Sequence, residues 1–330
     1  MIRRIARTGL LDGSIEDQPA AAAGVMVGSL FLLAFQDALV KLLSAEVSLW
    51  QFQMLRAGIN LALMLVLMRL IWGAGASPRP KRLAPVALRS SFLVCAMCFL
   101  FGGVPFLSLA EIAAGLYVFP LFVAMLSALV LGERVGPRRI VAILAGFVGT
   151  LLILKPGTEA FKLVGLMPIG AALCYAATIL TTRRLCRQES PVTLGFAVSV
   201  GYIVVGSLMT LVLSLQTPPA LAEQWPYLFT GWHALQWWIL GLITVCAAIN
   251  MTSNIGLARA YQSAEATWLV PFDYSYLIFA TFWGYVFWST VPDTLTFIGM
   301  ALIAFAGTYI AWRDSQTHPS HRANFNRSLR

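Results

Sequence analysis

The residues of this chain best equipped for chemistry stand inside long apolar runs. Asp37 and Lys41 are four apart, so on a helix they share a face, in the acid-before-base order that favours an ion pair. Gln53, Arg56 and Asn60 fall at i, i+3 and i+7, one polar stripe about two turns long. Together Asp37, Lys41 and Arg56 carry a local charge of plus one. The Arg56 guanidinium offers a planar fork for a carboxylate or phosphate. The same three charges equally fit a neutralised clamp between two helices, with Arg56 snorkelling outward. Asp273 follows Pro271 by two positions and precedes Tyr274. An acid there can load and release a proton, or it can satisfy backbone groups that the proline frees.

Other polar and aromatic residues gather near these. Asn250 and Asn254 repeat the i, i+4 spacing and can bond a ligand or a neighbouring helix, the second reading suiting Asn254 better. Tyr117, Phe119 and Phe122 crowd Pro120, and Trp268, Phe272, Tyr274 and Tyr276 crowd Pro271. Of these, Tyr117, Trp268 and Tyr274 are expected to line a pocket in which a flat ring stacks. The expected ligand set is therefore Arg56, Gln53, Asn60, Tyr117, Asn250, Trp268 and Tyr274. Asp273 and Asp37 are the proton-coupling candidates and Lys41 the charge partner of Asp37. Glu111 and Glu265 stand in the first turns of apolar runs, where capping is the expected role.

Catalytic chemistry finds no such concentration. His233, His318 and His321 fall in a loop or tail, and neither H-E-x-x-H, G-x-S-x-G nor a Walker-type G-x-x-x-x-G-K-[ST] occurs. Cys95 and Cys98 form a C-x-x-C without a second pair or a nearby His, which reads as small buried residues and not as a metal site. No metal and no cofactor is expected.

The elements that must hold these residues are membrane helices. Of the 330 residues 59% are hydrophobic and 11% charged, with a mean hydropathy of +0.78. An ordinary soluble domain has about 25% charged residues. Apolar runs between charged or Pro/Gly breaks give ten expected spans, near 22–43, 49–72, 86–108, 110–131, 138–155, 163–182, 191–216, 236–257, 264–288 and 294–312. With both termini inside, 19 of the 23 Lys and Arg residues fall on the cytosolic side, only Lys155 and Lys162 on the other, and Lys41 and Arg56 within spans. That asymmetry gives an N-in, C-in orientation. It also explains the net charge of +9 without nucleic acid. Residues 1–21 and 314–330 read as cytosolic tails, and Trp225, Trp232, Trp237 and Trp238 as an interfacial belt, with Trp288 and Trp312 similar.

The two halves look duplicated. Ala145 to Lys155 (AGFVGTLLILK) runs beside Ile303 to Arg313 (IAFAGTYIAWR). Residues 22–157 and 158–313 are thus expected to be two five-helix repeats. An odd number of spans turns the second upside down. Pro120 and Pro271 interrupt helices at comparable places in the two halves, each removing a backbone hydrogen bond. Small residues Ala142, Ala145, Gly146 and Gly149, and again Ala304, Gly307 and Ala311, make close-packing faces within the fold or between protomers, so monomer and homodimer both remain open.

The run from Pro120 to Glu133 (PLFVAMLSALVLGE), followed by Arg138-Arg139, Gly146-Phe-Val-Gly149 and Lys155-Pro-Gly157, resembles the span 4 to span 5 signature of EamA-type, ten-span members of the drug/metabolite transporter superfamily. The resemblance extends over about residues 22–313. Asp37-x-x-x-Lys41, Trp50-x-x-Gln53-x-x-Arg56 and Val270-Pro-Phe-Asp-Tyr274 are similar to the bacterial group that includes riboflavin and S-adenosylmethionine uptake proteins. Where the second half should match Gly132-Glu133, this chain has Ser289-Thr290, so no symmetric glutamate pair is available; Glu133 itself reads as an ion-pair anchor. The resemblance implies an all-α, multi-pass protein of the bacterial inner membrane. It would move a small polar or aromatic metabolite by alternating access, coupled to protons or driven by exchange. Membrane lipids and a small-molecule substrate are the expected partners. A lipid-headgroup flippase is the alternative, and an intramembrane enzyme the less favoured one.

Overall fold

A computed structural model describes residues 19–72, 79–131, 137–155, 163–263 and 266–317. Among them it is helical, with no strand. In chain order the helices are α1 (Pro19–Leu43), α2 (Leu49–Trp72), α3 (Leu83–Gly102), α4 (Leu109–Leu116), α5 (Phe119–Leu131), α6 (Pro137–Leu154), α7 (Leu166–Leu185) and α8 (Pro191–Leu215). Two short ones follow, α9 (Pro219–Gln224) and α10 (Pro226–Phe229), then α11 (Trp237–Ser263), α12 (Ala266–Asp273), α13 (Ser275–Trp288) and α14 (Thr294–Thr317).

Among the described residues, seven segments are long and apolar enough to cross a membrane, with α4 and α5 counted as one. Two shorter apolar helices, Ile140–Leu154 and Thr294–Ile310, stand beside them. The α12–α13 segment is divided near Pro271 into pieces of 8 and 14 residues. The 25 residues of α1 extend about 37 Å at 1.5 Å per residue, more than the ~30 Å hydrocarbon core. Exposed Leu, Val, Ile and Phe side chains run along the outer faces, as lipid requires, and Trp237 is 89% exposed at the head of α11.

Local chemistry sets several boundaries. α3 stops at Gly102, short of the expected 108, because a turn carrying Pro105 follows it. The Ser108 hydroxyl accepts from the Glu111 amide while the Glu111 carboxylate accepts from the Ser108 amide at 2.8 Å, a complete capping box. Glu111 is thus a cap, as its position suggested. Ser190 caps α8 by accepting from the Thr193 amide at 3.0 Å, ahead of Pro191 in the first turn. Ser289 takes a left-handed φ of 52° where α13 turns toward α14.

The helices pack in specific pairs. α1 lies against α11 and α13, α7 against α3 and α5, α2 against α8, and α6 against α14. Weaker pairings join α2 to α11 and α3 to α8, and α12 to α1 and α4 to α7. The small-residue faces are spent inside the chain. A Cβ on Gly149 would stand 2.8 Å from the Gly299 carbonyl, and one on Gly299 would stand 2.5 Å from the Gly149 carbonyl, so α6 and α14 touch backbone to backbone. Gly146 makes room for Leu121, and Gly307 for the Tyr274 hydroxyl.

Cys95 is exposed and Cys98 half-buried, which corrects the reading of both as buried residues. The Cys95 thiol faces Cys174 on the adjoining α7, with sulfurs 3.8 Å apart. The i, i+3 spacing to Cys98 hides this partner, which comes from the other half of the chain.

Candidate functional site

Two breaks in helical segments meet in the interior. The first lies at Tyr117 and Val118, just ahead of Pro120, which sits in the first turn of α5 where a missing amide costs little. The second lies at Tyr274, three residues after Pro271. The Tyr117 and Tyr274 rings approach to 5.4 Å between centroids, and Tyr117 also stacks on Tyr276 at 5.4 Å with the planes 15° apart. The Tyr117 hydroxyl donates to the Asp273 backbone carbonyl at 3.1 Å, satisfying an acceptor at the end of α12. Phe119 and Tyr175 close one side, edge to face at 5.0 Å.

Tyr276 joins this aromatic group to the charged one, since its hydroxyl donates to Asp37 on α1. Gln36 donates to the other Asp37 oxygen at 3.0 Å. Lys41 does not close on Asp37 as the spacing suggested. Its ammonium donates to the Leu107 carbonyl and lies 5.0 Å from the centre of the Trp288 ring. Both groups reach partners far away in sequence, and those partners replace the expected i, i+4 ion pair.

On α2 the expected stripe is buried. Arg56 is 5% exposed and donates through Nη2 to Gln53 Oε1 at 2.7 Å. Its guanidinium carbon lies 5.2 Å and 4.9 Å from the Phe52 and Phe101 ring centres, which are themselves 6.3 Å apart, so both rings make a cation–π contact with it from the same side. The Asn60 Oδ1 atom, one turn further, is buried without a donor. The start of α2 is clamped to the α8–α11 connection. Gln51 exchanges two hydrogen bonds with the His233 backbone, Ser48 donates to Gly231 O, and Trp50 donates to Leu228 O.

Asn250 is half-buried on α11, and the Asn254 side chain donates to its carbonyl at 2.7 Å, an intrahelical role. Trp268 belongs to α12, but its side chain lies outside the described residues, as do Glu133 and Glu265. An open cleft of about 360 Å³ lies at the capped end of α4, lined by Ser108, Glu111, Lys155, Thr290 and Asp293 among others. Across it Lys155 donates to Asp293 at 2.7 Å. The Lys155 and Thr296 hydrogen bonds hold the Asp293 carboxyl down to about 2, so this pair stays ionised well below neutral pH.

Sequence spacing put Gln53 and Arg56 on one stripe, and the proline breaks put Tyr117 and Tyr274 in one expected pocket, while the contacts within each pair come from the structure. Spacing missed Gln36, Gln51 and Tyr227, and it counted Tyr276 in the aromatic crowd without selecting it. The usable signals were adjacency, Gln36 beside Asp37 and Tyr276 two residues from Tyr274. Tyr227 gives no signal, since it stands in the four-residue α10, too short to show a periodicity.

Residues 21–155 match the EamA-like transporter family. A riboflavin transporter of Vibrio cholerae is 32% identical over 60% of this chain and 61% of its own length. A pseudopaline exporter of Pseudomonas aeruginosa is 28% identical over 86% of this chain and 94% of its own. An S-adenosylmethionine uptake transporter of Rickettsia bellii is 26% identical, covering 60% and 62%. The match thus spans less than two thirds of the first and third of these relatives. A solved crystal structure is similar in fold, with a TM-score of 0.56 and 20% identity over 88% of this chain and 97% of its own. The matched family and these relatives are all named for transport.

Proposed function

We propose that this chain is a secondary transporter of the inner membrane, built as ten spans in two inverted five-helix halves that rock around the Arg56–Asp37–Tyr276–Tyr117–Asp273 group. In this reading α4 with α5, and α12 with α13, each make one broken span. The observation that carries it is the pairing of helices. Exchanging every span for the one five places later turns the α1–α11 contact into α7–α3, α1–α13 into α7–α5, α2–α11 into α8–α3, and α12–α1 into α4–α7. The α2–α8 and α6–α14 contacts map onto themselves. A pseudo-twofold of that kind is what an inverted repeat produces, with the ligand site between broken helices at its centre.

The cleft by Lys155 and Asp293 is then the vestibule on the side opposite the termini, and Asp273 is the acid that carries the coupled proton. The substrate is a small metabolite with a flat ring, stacked among Tyr117, Trp268 and Tyr274 and polar enough to engage Gln53, Arg56, Asn60 and Asn250. Riboflavin-like and nucleoside-like metabolites fit this description. Proteoliposomes preloaded with unlabelled flavin, nucleosides and aromatic amino acids test the reading by counterflow. At least one labelled counterpart is expected to enter faster than into protein-free vesicles. If none does, the transporter reading fails.

A further inference from the structure

We infer that the meeting place of α2, α3 and α10 receives a carboxylate of the transported solute, an assignment that rests on the transporter reading above and narrows its solutes to aromatic acids. Three hydrogen-bond donors there have no acceptor. They are Arg56 Nη1, Gln53 Nε2 and the Tyr227 hydroxyl, on side chains that are 5%, 2% and 3% exposed. They belong to one neighbourhood. Gln53 is bonded to Arg56, Tyr227 packs in the same apolar cluster as Phe52 and Phe101, and its phenol lies within reach of the Arg56 charge.

A buried cation with unspent donors is costly unless an anion completes it. Asp37 lies within reach of the Arg56 charge but makes no ion pair with it among the described contacts, its oxygens being held by Tyr276 and Gln36, so it leaves the Arg56 donors unspent. The missing group must accept several hydrogen bonds, be planar to match the guanidinium fork, and carry a single negative charge. A carboxylate has two oxygens with about four lone-pair sites and meets all three requirements. A doubly charged phosphate would bring a second charge for which the three donors hold no cation. One turn along α2, the buried Asn60 Oδ1 lacks a donor and suits an N–H or O–H carried by the same ligand.

The test uses purified full-length protein in lipid nanodiscs and two probes of matched ring and size, indole-3-acetate and indole-3-acetamide. The acid is expected to bind roughly ten- to hundredfold tighter than the amide, the ratio typical of a charge-assisted hydrogen bond. Arg56→Gln should erase that preference. Tyr227→Phe keeps the ring and its packing, and should weaken the acid several-fold while leaving the amide unchanged. Equal affinity of both probes for the unmodified protein, binding of neither, or a preference that survives both substitutions overturns the site. Failure of the transporter reading looks different, as the absence of any protein-dependent solute flux.

Discussion

Asp273→Asn is expected to abolish gradient-driven accumulation of solute in proteoliposomes while leaving solute exchange running. The amide keeps the volume of the side chain but cannot titrate. The contact that the backbone makes here is untouched, because Tyr117 donates to the Asp273 main-chain carbonyl. With one proton per cycle a tenfold proton gradient supports about tenfold accumulation, equivalent to about 1.4 kcal/mol, and the variant should lose all of it. Accumulation that keeps its full pH dependence in the variant removes Asp273 from coupling. Loss of folded protein would instead give the acid a bracing role at the Pro271 break.

Gly299→Leu should prevent the fold from closing. The α6–α14 crossing brings the backbones together so tightly that even a Cβ on Gly299 meets the Gly149 carbonyl at 2.5 Å and Ile153 Cγ1 at 2.6 Å. A carbonyl cannot rotate out of the way as a side chain can, so the helices must separate. Overpacking of this kind costs about 1–3 kcal/mol and sometimes more, to be read as a lower melting temperature or as loss of monodisperse protein. Gly24→Ala is the control, since a Cβ there meets nothing within 4 Å and the α1 helix should hold its stability. Equal stability of Gly299→Leu and the unmodified protein would mean that α6 and α14 do not cross at these residues.

The helical, apolar character of the chain was legible because lipid imposes length and composition on every span, and caps such as Ser108–Glu111 announce themselves in four residues. Within one helix, spacing served well where both partners sit on the same face and nothing else competes, as for Gln53 and Arg56. It failed for Asp37 and Lys41, whose geometry would permit an ion pair. Tyr276, 239 residues from Asp37, and the Leu107 carbonyl, 66 residues from Lys41, hold the two groups instead. No local pattern encodes such partners. The same limit hid the Cys95–Cys174 approach and the packing of Tyr227 in one cluster with Phe52 and Phe101, which tertiary structure alone brings together.

The most direct test of alternating access around the central group is the reach of a water-soluble thiol reagent to position 250 from each side of the membrane. Asn250→Cys, in a protein whose five native cysteines are replaced, is treated with a membrane-impermeant maleimide in right-side-out and in inside-out vesicles. Position 250 is half-buried on α11, which packs against α1 and α2, the helices that carry Asp37 and Arg56. Labelling from both sides is the expected result, because rocking of two halves exposes the centre to each face in turn. Labelling from one side only, or from neither, would contradict it.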